Sequence, residues 1–254
     1  TGGFDFRANN KNFYSTIEDS FKFGDEKATN YEIGGKLSIG ASAELNFSAF
    51  WTKFDDLQIS IFDGVLGFNV GNAAAAEVKG IEVDGRWAVT DFCTLSGAGA
   101  FADFEFTDFE NGQCYFGQTP DSPSLPGLCD YTGRTNQLVS KFQGVTTADL
   151  HYPVFGGYEI SYVTDLFYTS KYHASSTYYP ALLQGGYATV NMRLGFGPED
   201  GGWQLAVLAK NQTDQQALQY GGDTPLAGST FGAKSNYAFY NQGRTVWVQS
   251  RVNF

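Results

Sequence analysis

Few residues of this 254-residue chain combine side-chain type and spacing in a way that would support acid–base chemistry. Glu82 and Asp84 lie two residues apart on one face of a predicted strand, where a carboxylate pair could transfer protons. A polar lining, in which such carboxylates meet basic side chains of neighbouring strands, explains the pair better, since Arg86 follows on the same face. His151 and His173, the only histidines, have no further metal ligand spaced near them. The sequence therefore predicts no enzyme, no cofactor and no metal site.

Two of the three cysteines have a spacing that favours a covalent cross-link. Cys114 and Cys129 lie in a stretch rich in Gly, Pro and Asp, and their spacing fits no zinc-binding pattern. We predict a disulfide between them, which implies an oxidising compartment, although two free thiols in a loop are the alternative. Cys93 lies in a strand-like segment and is interpreted as a small buried hydrophobic residue.

The composition restricts the class of protein. The formal net charge is -11, which disfavours nucleic acid as a partner because such binding requires clustered Lys and Arg. Hydrophobic residues make up 42% and charged residues only 17%, so a folded chain is expected. The 17% of aromatic residues and the 31 Gly indicate β structure with tight turns.

Apolar and polar residues alternate with a period of two along most of the chain, as in 188–196, where Ala188, Val190, Met192 and Leu194 alternate with polar neighbours. Because side chains on a strand point to opposite faces in turn, each such segment has one apolar and one polar face. We predict about ten strands, at 1–8, 30–40, 44–60, 72–89, 93–107, 137–152, 158–173, 183–196, 203–216 and 240–254. Long and short connections alternate between them.

These features predict an all-β fold, an antiparallel up-and-down transmembrane β-barrel with tight turns at one end and large loops at the other. Apart from the first, the predicted strands reach the ~9–11 residues that cross a bilayer, whereas strands of soluble sandwiches average ~5–6. Aromatic residues near the segment ends would form an interfacial belt, although a soluble core is the alternative. Examples are Trp51, Tyr158, Tyr168, Phe196 and Trp203.

Aromatic side chains also occur in three of the long connections. They are Tyr115, Phe116 and Tyr131 in 108–136, Tyr178 and Tyr179 in 174–182, and Tyr220, Phe231 and Tyr237 in 217–239. Loops on a rigid scaffold commonly carry recognition, and amphipathic rings suit a sugar or an aromatic chelate. Packing among the loops explains these residues equally well, so both interpretations stay open.

Four segments resemble motifs of the TonB-dependent outer-membrane receptors. Residues 203–214 are similar to the family's penultimate strand, which ends in an Asn-Leu-Thr-Asp pattern, with Gln212 in place of the usual Leu. Residues 243–254 are similar to its last strand, which ends in an aromatic residue, here Phe254. Residues 28–36 and 79–87 resemble its Asn-Tyr-Glu-x-Gly-x-Lys and Gly-x-Glu strands.

The resemblance implies a barrel of 22 strands with an N-terminal plug and a TonB box. We therefore expect residues 1–254 to be the C-terminal portion of such a barrel, without the plug and the early strands. The resemblance also implies that Phe254 is read by the barrel-assembly machinery. A closed ten-stranded barrel remains the alternative.

The function that the resemblance implies is TonB-energised uptake of a scarce nutrient, such as a siderophore or a carbohydrate, across the outer membrane of a Gram-negative bacterium. Its partners would be outer-membrane lipid, the TonB complex acting through a plug, and a small-molecule or oligosaccharide ligand. The loops would be extracellular and the short turns periplasmic. A passive porin-like channel and a soluble secreted carbohydrate-binding β protein are the alternative functions.

Overall fold

The computed structural model describes residues 2–4, 22–62, 68–224 and 235–253. Within that part of the chain the secondary structure consists of β-strands and one turn of 3₁₀ helix at Pro180–Leu182. No helix among the described residues is long and apolar enough to span a membrane.

Nine strands form one antiparallel sheet in which chain neighbours are also spatial neighbours. They are β3 (Lys27–Ile39), β4 (Ala43–Phe62), β5 (Phe68–Thr90), β6 (Cys93–Asp108), β7 (Phe142–Pro153), β8 (Tyr158–Thr169), β11 (Tyr187–Pro198), β12 (Trp203–Lys210) and β15 (Thr245–Val252). The remaining short strands pair outside this sheet: β1 (Gly3–Phe4) with β2 (Lys22–Phe23), β9 (Tyr172–His173) with β10 (Leu183–Gln184), and β13 (Leu218–Asp223) with β14 (Asn236–Tyr240).

The connections between the nine strands confirm the predicted asymmetry. Residues 40–42, 91–92, 154–157 and 199–202 form tight turns at one end of the sheet. The segments 109–141 and 170–186, and the described residues 211–224 and 235–244, lie at the other end and fold into structure of their own. We call these two ends the short-turn end and the long-loop end.

The two faces of the sheet differ in polarity, as the period of two requires. One register row on the apolar face consists of Ile33, Ala49, Ile81, Phe101 and Phe142, and the adjacent row on the opposite face consists of Gly34, Ser48, Glu82, Ala100 and Gln143. Ile33 on the apolar face is 76% exposed and Val248 is 75% exposed. Side chains of this kind are stabilised by contact with hydrocarbon rather than water, so we define the apolar face as the outer, lipid-facing surface.

The sheet is open within the described residues, because β3 and β15 each pair on one side only. A bilayer offers no hydrogen-bonding partner for an unpaired strand edge, and each unsatisfied group costs several kcal/mol there. The nine strands are therefore part of the wall of a transmembrane barrel rather than a closed barrel.

Several predicted boundaries are wrong in detail. The expected strand at 1–8 is described only at Gly3–Phe4, which pairs with β2 and does not join the main sheet. The strand expected at 203–216 ends at Lys210, because Asn211 adopts a left-handed backbone conformation with a φ of 50°. The last strand begins at Thr245 rather than 240, since the preceding residues form the hairpin β13–β14 and its exit.

Candidate ligand-binding surface

The loop between β6 and β7 folds back on itself and is closed by the predicted disulfide. Cys114 and Cys129 are bonded, with their Cα atoms 5.2 Å apart. Next to the disulfide, the backbone N–H groups of Gly112 and Cys129 each donate to the other's carbonyl oxygen, at 2.9 and 2.8 Å. The disulfide and this bridge together fix the path of the loop from 112 to 131.

Two of the predicted ligand-facing tyrosines lie inside the loop core instead. Tyr131 is 2% exposed and Tyr178 is 5% exposed, and their ring centroids are 4.6 Å apart. The Arg134 guanidinium carbon lies 5.2 Å from each ring centroid, in cation–π geometry. Burial raises the pKa of both phenols. For these two residues the ligand-facing interpretation is wrong, because packing between loops has removed both rings from solvent.

Local geometry explains why this core forms. The ring of Tyr131 covers Gly112, and a Cβ atom on Gly112 would collide with it. The hydroxyl of Tyr178 donates to the carbonyl oxygen of Thr135 at 2.5 Å, which ties segment 170–186 to segment 109–141. The ring of Phe109 packs edge-on against Tyr131, with centroids 5.3 Å apart.

A second buried cluster anchors the hairpin β13–β14. It consists of Tyr172, Ala174, Leu182 and Leu218. The hydroxyl of Tyr172 donates to the carbonyl oxygen of Leu218 at 2.5 Å, and the Leu218 N–H donates to Gln184 Oε1 at 2.7 Å. The hairpin is therefore held against the segment between β8 and β11.

Asp223 links the hairpin to the disulfide-closed loop. Its Oδ2 accepts a hydrogen bond from the backbone N–H of Phe116 at 3.0 Å, and its Oδ1 accepts one from Asn236 Nδ2 at 2.8 Å. Burial raises the pKa of this carboxyl, and the two donors oppose that effect. All three long segments are thus joined to one another by specific contacts.

The joined loops leave a group of aromatic rings at least partly exposed, which we call the loop aromatic surface. Its members are Tyr115, Phe116, Tyr179, Tyr220, Tyr237 and Phe239. Tyr115 and Tyr179 contact each other with ring centroids 5.2 Å apart, which brings two of the predicted residues together from different loops. The ring centroid of Tyr237 lies 5.9 Å from the ring centroids of both Tyr220 and Phe239, so three rings are neighbours on the hairpin.

The remaining predicted residues have different outcomes. Phe231 and Phe254 lie outside the described residues. Phe239 is not among the residues predicted from the sequence, although its spacing of two from Tyr237 in a β-hairpin places both rings on one face. Asp223 is not among them either, because its role depends on a contact with a residue more than 100 positions away.

The Asn-x-Thr-Asp segment has a structural role at the base of these loops. Asn211 is 7% exposed, and its side-chain amide donates to the carbonyl oxygens of Gln215 at 3.0 Å and Gln242 at 2.9 Å. Asp214 accepts a hydrogen bond from the backbone N–H of Arg244 at 2.8 Å. The motif therefore joins the exit of β12 to the entry of β15 and supports the hairpin between them.

The inner face carries polar groups but not the expected ion pairs. Asp84 accepts a hydrogen bond from Asn46 Nδ2 at 2.8 Å, and in the described ranges no Arg or Lys forms an ion pair with Glu82 or Asp84. The expectation of basic partners was wrong here, because the register places Asn46 opposite Asp84 and places Ser48 and Ala100 on either side of Glu82. No group of three or more His, Cys, Asp or Glu residues suited to a metal ion occurs in the part of the chain that the structure describes.

An open antiparallel sheet with an apolar outer face, a polar inner face and folded loops at one end defines part of a transmembrane β-barrel. The family model described as "TonB dependent receptor-like, beta-barrel" matches residues 3–211. The chain therefore belongs to the TonB-dependent receptor family, as the motifs implied. No curated protein sequence matches this chain significantly.

Similar solved structures agree with this assignment at the level of the fold. The ferric yersiniabactin uptake receptor FyuA from Yersinia pestis matches with a TM-score of 0.68 and 21% identity, over 92% of this chain and 31% of FyuA. The siderophore receptor PiuA from Acinetobacter baumannii matches with a TM-score of 0.62 and 18% identity, over 88% of this chain and 28% of PiuA. The ferric citrate transporter FecA matches with a TM-score of 0.60 and 17% identity, over 90% of this chain and 31% of FecA. The chain thus spans about 30% of the length of these neighbours.

Proposed function

We propose that this chain forms part of the barrel wall and of the ligand-binding surface of an outer-membrane receptor that takes up a scarce nutrient with energy from TonB. The observation that carries this proposal is membership of the TonB-dependent receptor family over residues 3–211. The members of this family are transporters rather than enzymes. We further propose that residues 1–254 are the C-terminal portion of the barrel, that the plug carries the contact with TonB, and that the long-loop end is extracellular.

The ligand that we propose is a ferric siderophore, a carbohydrate or a similar small molecule, held on the loop aromatic surface. Support for this location comes from the two buried clusters and the Asp223 contacts, which fix rings from three segments in place before any ligand arrives. A preorganised surface loses less conformational entropy on binding than flexible loops would.

A passive porin-like channel is the second candidate, because the inner face of the sheet is polar, as a water-filled pore requires. A soluble carbohydrate-binding protein is disfavoured, since the outer face exposes many large apolar side chains, among them Ile33, Ile81 and Val248. Energy dependence of uptake separates the two membrane candidates.

The test is uptake by a strain that lacks the receptor and is complemented with the full-length gene. Accumulation of radiolabelled ferric siderophores and of oligosaccharides would be measured with and without a protonophore. We expect saturable uptake of one of these compounds that stops when the proton-motive force is lost. Uptake that continues unchanged under the protonophore would contradict the TonB-energised receptor and support the channel.

The location of the ligand is tested by the double variant Tyr220→Ala/Tyr237→Ala. Loss of two aromatic contacts should raise the half-saturation concentration roughly tenfold, since such contacts contribute ~0.5–1.5 kcal/mol each. Tyr152→Ala is the matched control, because Tyr152 is also an exposed tyrosine but lies on the outer face near the short-turn end. Equal effects in both variants would contradict binding at the loops.

A further inference from the structure

Three polar side chains meet at Tyr178, where two of the long segments pack together. The guanidinium carbon of Arg134 lies 5.2 Å from the ring centroid of Tyr178, and the ring centroid of His173 lies 5.1 Å from it. The carbonyl oxygen of Thr135 accepts the hydrogen bond of the Tyr178 hydroxyl at 2.5 Å, so Thr135 lies beside the same side chain. We call Arg134, Thr135, His173 and Tyr178 the Arg134 cluster. It contains residues of both segment 109–141 and segment 170–186.

The three polar side chains can donate hydrogen bonds that no protein group accepts within the described residues. His173 Nδ1 and Thr135 Oγ1 are buried and have no hydrogen-bond partner there. The guanidinium of Arg134 contacts the two tyrosine rings and forms no ion pair or hydrogen bond with the described part of the chain. A guanidinium and a hydroxyl are donors, and a neutral imidazole can carry its proton on Nδ1. Because buried polar groups almost always have a partner, these donors indicate an acceptor that is supplied from solution.

The charges next to the Arg134 cluster are positive, although the whole chain has a formal net charge of -11. Burial lowers the pKa of His173, and the cationic groups of Arg134 and Lys171 lower it further. Burial raises the pKa of Tyr178, and the charge of Arg134 opposes this effect. An acceptor at this position is therefore favoured by a negative charge of its own.

The carboxylates of this region act on Tyr131 rather than on Tyr178. Burial is the main cause of the raised pKa of Tyr131, and Asp223 and Asp121 raise it further. Neither carboxylate affects the pKa of Tyr178. Both already accept hydrogen bonds from backbone N–H groups of the loops. The charge of Arg134 is therefore not neutralised by an ion pair with either of them.

We propose that the Arg134 cluster binds a small inorganic anion, such as chloride, which joins segments 109–141 and 170–186 as a structural ligand. The Arg134 guanidinium, the Thr135 hydroxyl and the Nδ1–H group of His173 donate hydrogen bonds to it. A small anion fits better than the anionic group of a larger molecule, because two of the donors are buried and a bulky ligand would have to separate the segments to reach them. The site is separate from the loop aromatic surface and does not depend on the proposed nutrient uptake.

Amide hydrogen exchange of the full-length receptor in detergent tests this proposal, with sodium chloride compared with sodium gluconate at equal ionic strength. The probe is the backbone N–H of Leu138, which donates to the carbonyl oxygen of His173 at 2.9 Å and so links the two segments. We expect chloride to slow its exchange about tenfold at roughly nine times the dissociation constant, because a bound ligand multiplies the protected population by 1 + [L]/Kd. Bromide should replace chloride.

Two variants test the donors, and the readout is the ratio of exchange rates with and without chloride, which separates binding from any change in basal stability. Arg134→Gln should reduce the ratio from about tenfold to less than about twofold. Thr135→Val should reduce it severalfold, although it keeps the carbonyl group that binds Tyr178. Lys141→Gln is the matched control with the ratio unchanged, because Lys141 belongs to the same segment but pairs with Asp103 at 2.6 Å.

Equal exchange rates in chloride and gluconate would overturn the proposal, because ordered water would then be a sufficient partner for the donors. It is also overturned if Arg134→Gln and Thr135→Val keep the whole chloride effect, or if Lys141→Gln loses it. Protection that rises with ionic strength in the same way for both salts would indicate general screening and would likewise contradict a specific anion site.

Discussion

Replacement of Asn211 by Ala should open the connection between β12 and β15. The side chain of Asn211 is buried and donates to the carbonyl oxygens of Gln215 and Gln242, while its Oδ1 accepts from the backbone N–H of Gln215 at 3.0 Å and from the hydroxyl of Thr213 at 3.2 Å. Each hydrogen bond lost contributes ~1 kcal/mol, and Ala at a φ of 50° adds about 1–2 kcal/mol of backbone strain. Water that enters the site recovers part of this, so we expect a loss of roughly 3 kcal/mol in local stability.

Amide hydrogen exchange of the receptor in detergent measures this loss. Protection of the Ala217 and Arg244 N–H groups should fall more than about 100-fold, because ~1.4 kcal/mol corresponds to a factor of ten. Both amides belong to the supported connection, and neither donates to Asn211 itself. Exchange of the β8–β11 ladder should be unchanged, since the register from Tyr187 to Pro198 does not include these contacts.

Two further variants distinguish the loss of hydrogen bonds from backbone strain as causes of the destabilisation. Asn211→Gly removes the same hydrogen bonds but tolerates the left-handed conformation, so it should lose about 1–2 kcal/mol less than Asn211→Ala. Asn211→Asp places a carboxylate oxygen against the carbonyl oxygens of Gln215 and Gln242 and buries its charge, so it should lose at least as much stability as Asn211→Gly. Wild-type exchange at Ala217 and Arg244 in Asn211→Ala would refute the conclusion that this side chain joins the two strands.

Three further predictions concern other parts of the fold. Cys114→Ser/Cys129→Ser should destabilise the closed loop by roughly 3 kcal/mol, since the two cysteines are separated by 15 residues. Proteolysis between residues 115 and 128 should become faster, and an unchanged cleavage rate would contradict this prediction. Burial lowers the pKa of His173 below its ordinary 6.5, so the folded loops bind fewer protons than the unfolded chain and should lose stability as the pH falls below about 6.5. His173→Gln should remove that slope in a thermal unfolding series, and an identical slope would count against it. Gly80→Ala should destabilise the barrel by ~1–3 kcal/mol, because the added Cβ would collide with the Phe50 ring and lie 2.6 Å from the carbonyl oxygen of Phe101. The melting temperature should fall accordingly. Phe50→Ala in the same chain should restore part of that fall, because it removes one of the two clashes.

The burial of individual loop tyrosines could not be predicted from the sequence. Tyr115 and Tyr131 look equivalent in the sequence, since both are tyrosines in one Gly- and Pro-rich loop. In the structure Tyr131 is buried between Phe109 and Tyr178, whereas Tyr115 contacts Tyr179 at the surface. The contacts of Tyr131 with Tyr178 and of Tyr115 with Tyr179 join segments more than 40 residues apart, and local sequence patterns do not contain them.

The sequence by itself determined the sheet, its two faces and its two unlike ends. Period-two alternation is a local property of a strand, and the lengths of the connections follow directly from the sequence. Both can therefore be predicted without tertiary information. Only the tertiary structure decided which loop side chains are buried, where β12 ends, and that Lys53 and Lys79 meet at Trp51. Those results depend on strand register and on packing between distant segments, in which one residue of shift would move a side chain to the opposite face.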